Sequence, residues 1–247
     1  MRRALAGCDV IAHLGFQLWK TPDAAGVNLG GTANVIAASP GRIVLASTAA
    51  VYGAWPDNPL PLTEAHVPRP NRECAYAEHK LDAERRCEDA APTTSLRICA
   101  VVGPNADPLV KKASAGLRQV VPAARGRRQA LQFMHEDDAA AALLTAVKSE
   151  TTDGRYNVAT QDWLDENAVA DVSGGRVVRL PFAVLLHGSQ VARRLHLMDI
   201  GADRAVLLNG PLALDPAKAA QELGWKARKG SAQVLAEFLA LRHSGGE

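Results

Sequence analysis

A short apolar run followed by an alanine-rich amphipathic segment recurs along these 247 residues, and this alternation restricts the fold more than any other feature. It is the signature of βα units laid on a mostly parallel sheet. The first run is Asp9-Val10-Ile11-Ala12-His13-Leu14, followed by a polar loop and a segment from Asn28 to Ser39 with apolar positions that suit a helix. Arg42-Ile43-Val44-Leu45-Ala46-Ser47 is continuous and β-branched, as a strand covered on both faces requires. Its helix comes late, because a loop from Trp55 to Pro70 carrying five prolines intervenes. Loops of that length inside a compact domain are usually functional.

Tyr76 to Ala90 then alternates charge with Leu and Ala at helical spacing, and Pro92 closes it before the strand-like run from Thr94 to Cys99. Val101-Val102-Gly103-Pro104-Asn105 reads as a strand end entering a turn. Beyond Leu109 the pattern predicts a helix, a basic stretch Arg125-Gly126-Arg127-Arg128, a strand from Ala130 to Met134 and a helix from Ala139 to Lys148. Asp137 and Asp138 stand at the positive end of that helix, where capping is their first explanation. The remainder predicts a strand from Arg155 to Ala159, a helix from Asp165 to Ser173, a strand from Arg176 to Leu180 and a helix through His187. A last helix, Pro216 to Leu223, is capped by Asp215 and stopped by Gly224. This C-terminal part reads as a smaller, irregular α/β lobe.

Lys plus Arg number 28 against 26 Asp plus Glu, a net charge of +2, which argues against a dedicated nucleic-acid binder. No stretch approaches the roughly 20 apolar residues of a membrane span. The start, with Arg2 and Arg3 but no apolar region before Asp9, lacks the form of a secretory leader, so the expected location is cytoplasmic, with no membrane partner. Cys8, Cys74, Cys87 and Cys99 lie far apart without a CxxC pair, so they are expected to be buried free thiols, and no metal site is expected.

The sharpest candidate for chemistry is Ser47-Thr48 at a strand end together with Tyr76 and Lys80, four residues apart on one helical face. A phenol titrates near pH 10, so as a general base at neutral pH it must be acidified by a neighbouring positive charge, and Lys80 is placed to supply one. Thr48 at the carboxyl end of a parallel strand can hydrogen-bond a substrate oxygen where charge develops. A YxxxK spacing alone occurs in many helices, where the tyrosine packs and the lysine faces water. His13, at another strand end, reads as a packed, hydrogen-bonded histidine rather than a base. The basic stretch at Arg125 reads first as a solvated loop.

Several motifs in order carry a resemblance. Val44-Leu45-Ala46-Ser47-Thr48-Ala49-Ala50-Val51-Tyr52-Gly53, Tyr76-x-x-x-Lys80, Leu96-Arg97 through Gly103-Pro104, Phe133-Met134-His135-Glu136-Asp137-Asp138, Tyr156-Asn157-Val158 and Glu222-Leu223-Gly224-Trp225 resemble the extended short-chain dehydrogenase/reductases. Specifically, they resemble the NAD-dependent epimerase/dehydratase branch. Asp9 to Gly15 is similar to that family's fourth strand, and Asn28 to Val35 to its Asn-Val-x-Gly-Thr-x-Asn helix.

The resemblance implies a Rossmann-like, doubly wound, mostly parallel sheet lacking its first βαβ units, with a small C-terminal α/β lobe. Residues 1–160 would form a partial dinucleotide-binding domain, 104–130 crossing toward the substrate lobe, and 161–247 mainly that lobe. NAD or NADP is the implied cofactor, held by Leu14, Gly15, Phe16, Asn28, Ser47, Tyr76, Lys80 and Cys99. Thr48, Tyr76 and Lys80 are the implied catalytic set, for hydride transfer to or from a secondary alcohol or ketone, sugar-nucleotide or sterol-like. A small-molecule substrate and a homodimer are likewise family expectations.

Three departures temper it. Near the start there is no GxxGxxG or GxGxxG, and about 60 residues, two βαβ units of about 30 each, are expected to precede this chain in a full-length relative. Without them the product is expected to aggregate or to bind NAD(H) weakly. Ala100 stands where many nucleotide-sugar enzymes carry Asn, and Ala49-Ala50 where sugar-nucleotide 4,6-dehydratases carry an acidic pair, which favours an oxidoreductase or epimerase over a dehydratase. The rival function is a non-catalytic member serving as a binding or sensing module.

Overall fold

The computed structural model describes residues 5, 7–18, 21–38, 41–149, 153–195 and 201–241. The Arg2-Arg3 start and the predicted helix end at Ser39 lie outside the described residues. Four parallel strands form the main sheet in the order β1 (Val10–His13), β2 (Arg42–Thr48), β3 (Thr93–Ile98) and β7 (Gly154–Val158). Between β3 and β7 the chain forms β4 (Ala100–Val102), β5 (Val120–Ala124) and β6 (Phe133–His135). β4 pairs with β6, and β5 pairs with β8 (Arg176–Leu180), each as a two-stranded parallel ladder.

The alternation of side chains along β2 shows why the sheet is covered twice. Ile43 packs with Val35 of α1 (Gly31–Ile36) and Cys87 of α2 (Ala75–Ala90), whereas Val44 joins Ala142 and Ala146 of α4 (Glu136–Lys148). Successive residues point to opposite faces, so α1 and α2 cover one face and α4 the other. Both apolar sides of β2 are thereby removed from water, as its unbroken run requires: Ile43, Val44 and Leu45 are fully buried. Arg42 donates from its guanidinium to the carbonyls of Ala146 and Val147, a cation closing the C-terminal turn of α4.

The doubly wound parallel architecture expected from the sequence is observed. The helix expected from Asn28 begins earlier, as a π-helical turn over Gly26–Gly30 that runs into α1. The strand expected over Ala130 to Met134 forms over Phe133–His135. β5 was not anticipated, because Pro122 interrupts its apolar run; as half of a two-stranded ladder it tolerates that proline. The remaining elements are α3 (Pro108–Gly116), α5 (Glu166–Ser173), α6 (Phe182–Arg194), α7 (Ala202–Ala205), α8 (Ala217–Glu222) and α9 (Ser231–Ala240). Asp215 accepts from the Ala217 amide at 2.9 Å, and Gly224, with φ of +67°, follows the end of α8. Among the described residues no helix is long and apolar enough to cross a membrane. Cys74, Cys87 and Cys99 are buried free thiols, and Cys8 is half-buried.

Two polar devices join the C-terminal segments to the sheet. The capping expected of Asp137 and Asp138 falls instead to His135, whose Nδ1 accepts from the Asp137 amide at 3.2 Å; the Asp138 carboxylate accepts from Arg228 Nε at 2.6 Å and from the Arg228 amide at 3.0 Å, while its carbonyl accepts from Trp225 Nε1. The proline-rich loop is tied down rather than open, since Leu62 and Asp215 exchange backbone hydrogen bonds with Ala213 and Leu62. It does not reach the wall of the cavity described next. Gly53 makes its start feasible: φ is +68°, and a Cβ there would lie 2.3 Å from the Arg69 carbonyl oxygen.

Candidate active site

Three strand ends and the first turn of α2 converge on a cavity of about 600 Å³. β2 terminates at Thr48, in register with Ile98 of β3, which brings Cys99 alongside. The Thr48 hydroxyl accepts from the Ala50 amide at 3.3 Å and so starts the tight turn Ala49–Tyr52. Spacing of four residues places Tyr76, Lys80 and Glu84 along one stripe of α2. The cavity wall brings together Leu14, Phe16, Ser47, Thr48, Tyr76, Lys80 and Cys99. Gly15 is exposed and Asn28 lies behind the wall, so those two expected contacts are not among its lining residues.

Lys80 is 2% exposed, which removes the reading of a lysine facing water. Its ammonium donates to the Ala46 carbonyl and sits 3.8 Å from the centroid of the Phe16 ring and 5.8 Å from that of Tyr76. Burial pulls its pKa down to about 7, against the opposing charge of Glu84. Burial also pushes the Tyr76 phenol up to about 12, and the cation working against that rise is Arg204, 5.7 Å from the ring centroid. The expectation that Lys80 acidifies this phenol is therefore corrected here. The ammonium is committed to a main-chain carbonyl and to the face of Phe16, whose ring packs edge-on against Tyr76 at 6.1 Å. At neutral pH Tyr76 holds its proton.

Ser47 lines the wall but gives its hydroxyl to Glu84. Glu84 in turn takes Arg97 in a two-point ion pair, Nη2 to Oε2 at 2.7 Å and Nε to Oε1 at 3.1 Å, with both side chains almost wholly buried. Arg97 also donates to the Tyr52 hydroxyl, which donates to Asn157 Oδ1. This network lies under the site, and the spacing of Glu84 four residues after Lys80 was the signal for it in the sequence.

Asn28, 1% exposed, accepts from the Gln17 amide at 2.6 Å and donates to the Gln17 carbonyl at 3.1 Å, with His79 Nδ1 3.2 Å from its amide nitrogen. It thus pins the loop that places Phe16 and Leu18 on the wall. His13 is packed, as expected: Nε2 lies 3.0 Å from the Thr32 hydroxyl, and burial, then Lys80, lower its pKa to about 4. Burial pushes the Cys99 thiol up to about 12, so it is a neutral, apolar part of the wall. Arg204 and the far wall, Val110 and Ala113 of α3 with Leu131, Leu207 and Leu212, had no motif to announce them.

Comparison with known proteins decides the family. The model of the NAD dependent epimerase/dehydratase family matches residues 1–159. The chain belongs to this family. Among its curated relatives, the uncharacterized protein y4nG of Sinorhizobium fredii (strain NBRC 101917 / NGR234) is 28% identical, over 96% of this chain and 64% of that protein. An uncharacterized protein of Mycobacterium tuberculosis (strain ATCC 25618 / H37Rv) is 26% identical, over 80% of this chain and 53% of its own length. The chain thus spans between about half and two thirds of the curated relatives it matches.

Two solved family folds superpose on it. MoeE5 in complex with UDP-glucuronic acid and NAD has a TM-score of 0.70 at 20% identity, over 98% of this chain and 82% of that one. The UDP-glucose 4-epimerase of Thermotoga maritima with UDP-glucose has a TM-score of 0.71 at 19% identity, over 98% and 80%. At such identities they show the shared fold.

Proposed function

We propose that this epimerase/dehydratase family member is an NAD(P)-dependent oxidoreductase or epimerase acting on a secondary alcohol or ketone. The observation that carries the reading is that Thr48, Tyr76 and Lys80, drawn from two elements, line one cavity at the carboxyl ends of parallel strands, where open α/β sheets bind ligands. The residues fit the nicotinamide end of the cofactor. Leu14, Phe16 and Cys99 offer apolar walls to a flat ring, and the Lys80 ammonium and Tyr76 hydroxyl are donors beside them. A relative crystallised with NAD accords with this. No residue of this chain is assigned to the pyrophosphate.

Bound there, the nicotinamide supplies or accepts a hydride at C4. In the reducing direction Tyr76 gives its phenolic proton to the carbonyl oxygen as the carbonyl carbon gains the hydride, which yields the secondary alcohol. Lys80 holds the ribose side. Thr48 donates to the reacting oxygen and fixes its position. Ser47 and Asn28 serve the cofactor indirectly, through Glu84 and through the loop that carries Phe16. Residues 1–160 form the dinucleotide-binding part and 161–247 mainly the substrate lobe in this reading. A homodimer and a cytoplasmic location complete it, tested by light scattering and by cell fractionation.

The deciding experiment replaces Tyr76 by Phe. Loss of about 10²–10⁴-fold in turnover, with NADH binding by fluorescence unchanged, is the expected result. Turnover equal to the parent would remove the acid–base assignment and leave the non-catalytic binding module in its place.

A further inference from the structure

No residue of α6 lines the catalytic cavity, and this helix packs through one side only. Phe182 and Leu186 turn inward to the cluster of Ala50, Cys74, Ala77 and Val206. Val184, Gly188, Val191 and Leu195 follow one another at spacings of four, three and four, which puts them in a row on a single helical face. That face is bare. Val184 is 52%, Val191 53% and Leu195 62% exposed, and a Cβ added to Gly188 would meet nothing within 4 Å. Three large aliphatic side chains in one row differ from the scattered apolar exposure of an ordinary surface.

Charge decides what covers it. α6 carries no acidic residue, and the exposed His187 and Arg194 border the row. At the start of the helix the Arg125 amide donates to the Leu180 carbonyl at 2.8 Å, so the exposed turn Arg125-Gly126-Arg127-Arg128 abuts the entry to α6. Among the described residues Arg125, Arg127, Arg128 and Arg194 have no acidic partner, whereas Glu166 holds Arg179 and Asp203 lies by Arg193. On the neighbouring α5, Asp165 accepts from the Ala168 amide, which leaves Asp171 as that helix's uncommitted carboxylate. The arginines therefore outweigh the acids here.

An apolar row edged by arginines suits an anionic lipid surface, where the side chains enter the acyl boundary and the guanidinium groups meet phosphates. A second copy of the chain would bring the same arginines and set like charges against each other. A nucleic acid would leave the valines nothing to bury, and the row offers no aromatic ring for a base to stack on. The 13 residues of α6 rise about 20 Å, short of the roughly 30 Å of a hydrocarbon core, so the helix can lie along a bilayer but not cross it.

We propose that the outer face of α6 is a peripheral docking surface for an anionic membrane, with Val184, Val191 and Leu195 inserted and the flanking arginines on lipid phosphates. The expectation of no membrane partner is thereby narrowed to none that is spanned. The proposal stands apart from the oxidoreductase reading, and its test needs no turnover. The full chain is sedimented with vesicles of one part phosphatidylglycerol to two parts phosphatidylcholine and, separately, of phosphatidylcholine alone. Binding to the anionic vesicles should exceed binding to the neutral ones at least tenfold and weaken with added salt. Val191→Asp should weaken it tenfold or more. Joint replacement of Arg125, Arg127 and Arg128 by Gln should weaken it about a hundredfold, at about fivefold for each arginine. Gly188→Leu extends the apolar row into open space and should tighten binding at least threefold. All these positions are exposed, and circular dichroism checks that each variant keeps its fold. No binding to the anionic vesicles, equal binding to the neutral ones, or binding indifferent to these substitutions would overturn the proposal. So would a dimer in light scattering that Val191→Asp dissociates, because a second copy would then be what covers the face.

Discussion

Burying Lys80 should leave a measurable imprint on the pH dependence of folding. Its pKa falls from 10.5 to about 7 in the folded chain, so between these values the unfolded state binds a proton that the folded state lacks. Stability then rises with pH across the interval. Below pH 7 both states are protonated and the penalty for a buried ammonium is present in full; it is relieved as pH climbs toward 10.5. At about 1.4 kcal/mol per unit, the whole interval amounts to about 5 kcal/mol, and the part between pH 7 and 9 to about 2 kcal/mol.

The buried thiols act in the opposite sense from about pH 9 upward, because burial raises their pKa values. Of these thiols Cys87 alone is coupled to Lys80, so below pH 9 the difference between the parent and Lys80→Met is chiefly that of the lysine. Urea unfolding of both at pH 7 and pH 9 provides the measurement. Loss of the donor to Ala46 shifts the variant at every pH alike, and only the slopes are compared. Parent and variant curves that run parallel from pH 7 to 9 would refute the account of Lys80 as a desolvated amine.

Glu84→Gln removes one member of the buried pair with Arg97 and should cost about 3–5 kcal/mol; a loss below about 1 kcal/mol in urea unfolding would show that the pair does not anchor α2 to β3. Asn28→Ala leaves the Gln17 amide and carbonyl without partners and should cost about 1–3 kcal/mol. Hydrogen exchange at the Gln17 amide should accelerate, and unchanged protection would count against the clamp. Gly53→Ala forces a Cβ to 2.3 Å from the Arg69 oxygen at φ of +68°. It should cost at least about 1–3 kcal/mol in the urea midpoint, and a neutral effect would mean that the loop relaxes without loss.

The parallel sheet was legible because its strands advertise burial on both faces: Ile43-Val44-Leu45 leaves no polar side to expose. The catalytic stripe was legible because Tyr76 and Lys80 share a helical face whatever surrounds them. What lay beyond reach was set by contacts distant in sequence. Nothing local to Asp138 announces Arg228, 90 residues away, and a carboxylate at a helix start is explained well enough by the helix dipole. Arg97 reads as an ordinary strand arginine until Glu84 is seen to face it. The acidification of Tyr76 by Lys80 was a charge argument made without desolvation, and in a site this buried desolvation is the larger effect for both groups.

The stripe Tyr76, Lys80 and Glu84 joins the site to the core. One helical face carries a phenol at the cavity, an amine at the carbonyl of Ala46 and a carboxylate locked to Arg97 beneath the sheet. A rotation of α2 that moved Tyr76 toward a substrate would have to carry Glu84 with it and break a buried ion pair. Tyr76 is therefore held against rotation by a contact two turns away. The adjustable parts of the site must be sought in the loop bearing Phe16 and in the half-covered helix α3. Phe16 lies against Lys80 and Tyr76 alike, so a flat ring entering beside them has to displace it or stack upon it. The Asn28 clamp on Gln17 confines that movement to the residues just before the clamp, Leu14 to Phe16.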